Sequence, residues 1–211
     1  MKSEFFDVVI VGAGLSGIGA GCHLKDKCPE HTFVILEGRD NVGGTWDLFR
    51  YPGIRSDSDM YTLSYSFKPW DSEELIPSGK TILNYILQAS KEHKIEEHIR
   101  TNHKILRAEW EDKDSLWKVT VENHTTFYCK FLYTCSGYYR YDKGYEPSFK
   151  GSDVFKGTFI HAQNWSTDLE VQEKNIVVIG SGATAVTLVP ELSKKAKRVT
   201  MLQRSPTYIA S

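Results

Sequence analysis

The sequence has no apolar run approaching the roughly 20 residues needed to cross a bilayer, and no block of lysine and arginine. The first absence excludes a transmembrane helix. The second, with 26 Lys and Arg against 27 Asp and Glu and a formal charge of −1, gives a polyanion such as nucleic acid nothing to bind. Cysteine is scarce: Cys22, Cys28, Cys129 and Cys135 form no CxxC pair and no Cys/His cluster of zinc spacing. Strand-like neighbours place Cys129 and Cys135 in a core. Reduced thiols in a cytoplasmic protein are the expectation. Low-complexity sequence is also missing.

What is present suits a globular protein able to bury a core: 211 residues, 40% hydrophobic and 25% charged, enough for one large domain or two small ones. The opening FFDVVIVGAGLSGIGAGC superficially resembles a signal segment ending at a cysteine. Asp7 interrupts its apolar part, and its glycines have the spacing of a nucleotide-binding turn, so a signal peptide is rejected.

Phe5–Val11 predicts a buried parallel strand, Leu15–Lys27 a helix and Thr32–Leu36 a second strand ending at Glu37. From Gly38 to Pro77 regular patterns fade into a stretch rich in Gly, Pro, Asp and aromatics, a length of loop that usually serves a site. Ser78–His93 predicts an amphipathic helix with Ile82, Leu83, Ile86 and Leu87 on one face. Between about Ile99 and Ser136 the period becomes two. Leu106, Ala108 and Trp110 alternate, then Trp117, Val119 and Val121, then Phe127, Cys129 and Phe131. That pattern predicts an antiparallel meander whose last run, FLYTCSG, re-enters the main sheet. A second strand–turn–helix–strand unit follows, with strands at Asn175–Ile179 and Arg198–Leu202 around a helix at Ala183–Lys194 that contains Pro190.

The two repeats share a glycine turn. In GAGLSG, Gly12 allows the tight turn, Gly14 lets a pyrophosphate approach the backbone, and Gly17 permits close helix packing. The helix N-terminus favours phosphate, and Glu37 at the end of the next strand suits ribose hydroxyls. In GSGATA, Gly180, Gly182 and Ala185 repeat the pattern. There the second strand ends in LQRSP, with Arg204 and Ser205 where an acid would stand. A guanidinium fork suits the 2′-phosphate of NADP, and a solvated strand-end arginine is the alternative. An acidic and a basic site at matching places point to a flavin plus NADPH. GGTW after Glu37 brings Gly44, Thr45 and Trp46 into reach of a flat cofactor, or makes an ordinary glycine loop with a core tryptophan.

The ordered set GAGLSG, Glu37, GGTW, YPGIRSDSD, FKGTFIHAQNWS and GSGATA resembles the class B flavoprotein monooxygenases, and within them the Baeyer–Villiger monooxygenases. That family's fingerprint is Phe-x-Gly-x-x-x-His-x-x-x-Trp followed by Pro or Asp. Phe155, Gly157, His161 and Trp165 match it, and Ser166 departs at the last position. GGTWDLFRYPGIRSDSDMYTL, NIVVIGSGATAVTLVPEL and MLQRSPTYI resemble the subgroup that oxidises ketones and activates thioamide prodrugs.

The resemblance implies an α/β fold with two Rossmann-like domains, both incomplete, the first carrying the meander. Its FAD domain would cover residues 1–150, a linker with the fingerprint 151–174, and the start of an NADP domain 175–211. Gly12, Gly14, Ser16, Gly17, Glu37, Gly44, Thr45, Trp46 and Asp57 would meet FAD. Gly180, Ser181, Gly182, Thr184, Ala185, Arg204 and Ser205 would meet NADPH. Asp57 would be the active-site aspartate, with a turn-forming role as its alternative. His161 would position the linker, with plain packing as its alternative. The implied reaction takes one oxygen atom from O2 through a flavin C4a-peroxide into a ketone, giving an ester or lactone, or onto the sulfur of a sulfide or thioamide.

Family members are considerably longer, and no residue here matches their catalytic arginine; Arg55 lies in the right loop without matching it. An inactive nucleotide-binding fragment is therefore a competing expectation. So is an N- or S-oxygenating flavin-containing monooxygenase, although these usually carry another aromatic in place of Trp165. An NADPH-dependent disulfide reductase would need a closely spaced cysteine pair, which the sequence does not offer. Oligomeric state is not readable from these motifs.

Overall fold

A strand covered on both faces needs a continuous apolar run, and the chain opens with one. In the computed structural model, which describes residues 3–208, β1 spans Ser3–Val11, with Val8, Val9 and Ile10 buried. Helix α1 (Leu15–Lys27) follows and turns Ile18 and Cys22 inward. Strand β2 (Phe33–Leu36) is buried at every residue. Two short helices, α2 (Thr45–Leu48) and α3 (Met60–Leu63), interrupt the long loop, with Asp59 capping α3 through the Thr62 N–H at 2.9 Å. Helix α4 (Gly79–Glu92) buries Ile82, Tyr85, Ile86 and Ala89, a stripe at helical spacing. Leu87, expected on that stripe, is exposed instead, because the buried face is centred on Ile86.

Strands β3 (Ile99–Arg100), β4 (Ile105–Glu111), β5 (Leu116–Val121) and β6 (Thr126–Thr134) complete one six-stranded sheet in the order β3-β2-β1-β6-β5-β4. The meander is thus continuous with the main sheet. Strand β6 pairs parallel to β1 over its whole length and antiparallel to β5 over its first residues. Val119, Val121, Phe127 and Cys129 build a core cluster with Val9, Val34 and Leu36. Leu106, Ala108 and Trp110, whose alternation marks the strand, lie on the exposed side of β4. β4 is an edge strand with a register shift between Ile105 and Arg107, and Trp110 packs edge-on against Trp117. Cys135, expected in a core, is half-buried just past β6.

Strand β7 (Asn175–Ile179), helix α5 (Ala183–Ser193) and strand β8 (Arg198–Leu202) form the second β-α-β unit, with β7 and β8 parallel. Ile176, Val178 and Val199 pack on a cluster of Phe49, Tyr51, Leu188 and Leu192, and the alternate residues Val177, Ile179 and Leu202 are exposed.

The chain divides into two compact units. One comprises Met1–Asp47, Tyr65–Pro69 and Lys80–Tyr139; the other comprises Leu48–Ser64, Trp70–Gly79 and Arg140–Ser211.

Candidate functional site

In the first unit, β2 and β3 follow β1 on one side of it and β4, β5 and β6 are added on the other, so the strand order reverses at β1. The carboxyl end of a strand at such a reversal is where open α/β sheets bind ligands. Gly12 sits there with φ +96°, and a side chain on it would lie 2.7 Å from the Cys135 carbonyl oxygen. A side chain at Gly17 would collide with the Gly12 carbonyl, so the first turn of α1 packs directly on the glycine turn. Gly14 caps α1 with no side-chain hydrogen bond, and no acidic residue occupies the first turn. The first amide bonded within the helix is Ile18, to the Gly14 carbonyl at 3.0 Å. The helix therefore presents N–H groups with no side-chain cap and no acid in its own first turn, which fits a phosphate. Ser16 is exposed in that turn.

Glu37 is 4% exposed, and its carboxylate closes the turn from the side of β2. Oε2 accepts from the Ala13 N–H at 2.9 Å, and Oε1 accepts from the Arg39 N–H at 3.0 Å. Arg39, overlooked in the sequence, reaches across with its guanidinium. Nη1 donates to the Gly44 carbonyl at 3.1 Å, and Nη2 pairs with the buried carboxylate of Asp47. The GGTW segment is thereby drawn onto the first glycine turn: Gly43 N–H donates to the Ala13 carbonyl at 2.9 Å, and the position of a Gly14 side chain would be 3.5 Å from the Gly44 Cα. Thr45 and Trp46 open α2, both half-buried. The only sequence signal for this clamp is an arginine two residues after Glu37 and an acid just after GGTW.

In the second unit, Gly182 caps α5 with no side-chain hydrogen bond and no acid in the first turn, matching α1. Side chains at Gly180 or Gly182 would meet nothing within 4 Å, so this turn is open. Ser181 ties the turn to the segment after β8: its hydroxyl donates to the Ser205 carbonyl at 3.3 Å and accepts from the Thr207 hydroxyl at 2.8 Å. Arg204 is exposed beside that tie. Ala185 is buried within α5, and the Thr184 side chain hydrogen-bonds to the hydroxyl of Tyr51.

Asp57 is exposed on the same unit, and it is Asp59, not Asp57, that caps α3. His161 opens a short 3₁₀ turn, Ala162–Asn164, where its Nδ1 accepts from the Gln163 N–H at 3.1 Å. In the neutral ring that leaves the proton on Nε2. Gly144 lies so close to the imidazole that no side chain would fit. Gln163, unremarked in the sequence, is buried, and its amide donates to the Arg140 carbonyl at 2.7 Å and the Tyr141 carbonyl at 3.3 Å. Trp165 packs on the cluster of Phe49, Tyr51, Leu188 and Leu192.

The four cysteines are free. Burial pushes the Cys22 thiol up to about 12 and the Cys129 thiol up to about 11, far from reactive thiolates. Among the described residues no His, Cys, Asp and Glu group is placed to hold a metal ion, and no helix is long and apolar enough to cross a membrane.

With this geometry in place, a family model described as pyridine nucleotide-disulphide oxidoreductase matches residues 9–210. The chain belongs to that family. It is 58% identical to the FAD-containing monooxygenase EthA of Mycolicibacterium smegmatis, over 99% of this chain and 43% of that protein. It also resembles two solved structures. One is the OTEMO complex with FAD and NADP, with TM-score 0.83 and 31% identity over 95% of this chain and 39% of that one. The other is cyclohexanone-bound cyclohexanone monooxygenase in the Rotated conformation, with TM-score 0.86 and 25% identity over 98% of this chain and 40% of that one. The chain thus spans less than half the length of the relatives it matches. Within the family, the fold resembles that of FAD- and NADP-binding monooxygenases.

Proposed function

We propose that this chain carries the FAD- and NADPH-binding portion of a Baeyer–Villiger-type monooxygenase, acting in the cytoplasm on a ketone or on the sulfur of a sulfide or thioamide. One observation carries the reading. Two helices offer bare N-termini beside glycine turns, and the strands that follow them end in opposite charge, Glu37 after β2 and Arg204 after β8. A carboxylate that accepts from ribose hydroxyls and a guanidinium that pairs with a 2′-phosphate distinguish FAD from NADPH.

The first turn, Glu37 and the GGTW segment would hold FAD; Gly180–Ala185, Arg204 and Ser205 would hold NADPH. The bound flavin supplies the reduction of dioxygen that places one oxygen atom on the substrate. The residues of this chain bind and orient. α1 and α5 neutralise the pyrophosphates, Asp57 offers an exposed carboxylate to a cationic group, and His161 fixes the linker turn through Nδ1. The FAD-containing relative and the similar structure complexed with FAD and NADP support this assignment.

The test is nucleotide selectivity. The chain is expected to bind FAD, and to bind NADP+ more tightly than NAD+. Arg204→Ala is expected to cost NADP+ about ten-fold or more in affinity while leaving NAD+ unchanged. Equal affinity for NAD+ and NADP+ in the unsubstituted chain would refute the assignment of the second turn. NADPH-dependent oxygen uptake stimulated by a ketone such as cyclohexanone, in the protein that contains this chain, checks the reaction.

A further inference from the structure

The loop between β2 and α4 contributes more than GGTW and Asp57. Two of its tyrosines reach a nucleotide helix, one in each unit. On α5, Thr184, Thr187, Leu188, Glu191 and Leu192 share one face by helical spacing. Residues 49–54 cover that face. Phe49 and Tyr51 pack with Leu188 and Leu192. Gly53, at φ +77°, lies so close that the position of a side chain would be 3.2 Å from the Thr187 carbonyl oxygen. Tyr51 is 9% exposed, and its hydroxyl is hydrogen-bonded with the side chain of Thr184 in the first turn of α5. Burial raises the Tyr51 phenol.

In the first unit the same device recurs with other residues. The Tyr65 hydroxyl donates to the Leu15 carbonyl, the first residue of α1, at 2.6 Å. Its ring lies over Gly19, where an added Cβ would come within 2.8 Å of the ring. The Tyr65 N–H in turn donates to the Tyr85 hydroxyl at 2.7 Å, and the two rings stack.

We infer that Tyr51 and Tyr65 are positioning residues, each bracing one nucleotide helix at its phosphate-facing turn, Tyr65 for α1 and Tyr51 for α5. The inference rests on reading those turns as the FAD and NADP sites. Its physical basis is that neither helix has a side-chain cap, so the position of each first turn is set by what lies beneath it. Anion binding by backbone N–H groups needs that position held to about 0.5 Å. A buried tyrosine holds it with few rotors to freeze and one directed hydrogen bond.

The test pairs Tyr51→Phe with Tyr65→Phe, which keep both rings and remove only the hydroxyls. The first readout needs no cofactor: hydrogen exchange in the ligand-free chain at the first bonded amides of the two helices, Val186 (to Gly182, 3.1 Å) and Ile18 (to Gly14, 3.0 Å). Tyr51→Phe is expected to speed exchange at Val186 about five-fold and leave Ile18 unchanged, and Tyr65→Phe to do the reverse. The second readout is affinity. Tyr51→Phe is expected to weaken NADP+ about five-fold and spare FAD, while Tyr65→Phe weakens FAD and spares NADP+. Thr184→Val is expected to mimic Tyr51→Phe, and the double variant to be no worse than either. Equal effects on both helices, or none, would overturn the inference. Wild-type chain that binds neither nucleotide would overturn the functional reading instead, and the exchange pattern would still decide the bracing.

Discussion

Glu37→Gln tests whether the acid at the end of β2 serves the glycine turn itself as well as a ribose. The substitution keeps shape and burial and replaces one carboxylate oxygen with an amide NH2. Both oxygens are already in use, Oε2 by the Ala13 N–H at 2.9 Å and Oε1 by the Arg39 N–H at 3.0 Å. Whichever oxygen is lost, an NH2 then faces a backbone N–H at a site only 4% exposed. A hydrogen bond to a charged group contributes about 1.5–3 kcal/mol, and the donor left facing a donor cannot turn to water. We expect a loss of about 2–3 kcal/mol, roughly 30-fold or more in the folding equilibrium. Urea denaturation of the ligand-free chain, followed by far-ultraviolet circular dichroism, reads it directly. A Glu37→Gln chain within about 0.5 kcal/mol of wild type would show that the carboxylate does not hold the turn, and the argument from its two hydrogen bonds would fail.

Other substitutions probe the supports around the turns. Arg39→Ala removes the guanidinium from the buried Asp47 and from the Gly44 carbonyl, and is expected to destabilise the chain by about 2–3 kcal/mol and to weaken FAD binding, measured by denaturation and by flavin titration. Ser90 is 2% exposed on α4 and its hydroxyl has no hydrogen-bond partner, so Ser90→Ala is expected to stabilise the chain by about 1 kcal/mol in the same denaturation assay. The Asp7 carboxylate is held well below its ordinary range, first by the Lys130 ammonium and then by the Thr32 N–H and hydroxyl. A depressed folded-state value means its contribution is present above the ordinary carboxylate range, about pH 4, and is lost as pH falls toward the folded value. Asp7→Asn is therefore expected to be less stable than wild type at pH 7, with the gap closing in acid; a gap that widened below pH 4 would reverse the sign and refute the linkage.

The two β-α-β units were legible because each is written locally. Apolar runs, a glycine turn and a helix follow one another within about thirty residues, and the strands at Asn175–Ile179 and Arg198–Leu202 fall where the pattern places them. Glu37 and Arg204 were legible for the same reason, each standing at the end of a strand. The alternation in β4 marked the strand but not its covered side, because a period of two fixes that one face differs from the other and not which face is covered. At a sheet edge the apolar side was left out.

The sequence by itself determined the repeated nucleotide-binding motif, the opposite charges after β2 and β8, and the fingerprint that ends in Trp165. Those are short-range patterns of spacing and polarity, and they survive without knowledge of distant contacts. Only the tertiary structure decided what the long aromatic loop does. The Tyr65 hydroxyl meets a carbonyl fifty residues earlier, Tyr51 meets Thr184, and Arg39 closes on Asp47. The tyrosine contacts span long stretches of chain, and the clamp depends on how one loop folds back on itself. A hydrogen bond between groups far apart along the chain leaves no periodic trace, because either partner alone is an ordinary tyrosine, threonine or carbonyl. His161 shows the same limit: its spacing marked the fingerprint, and the fold showed its Nδ1 holding the turn at Gln163.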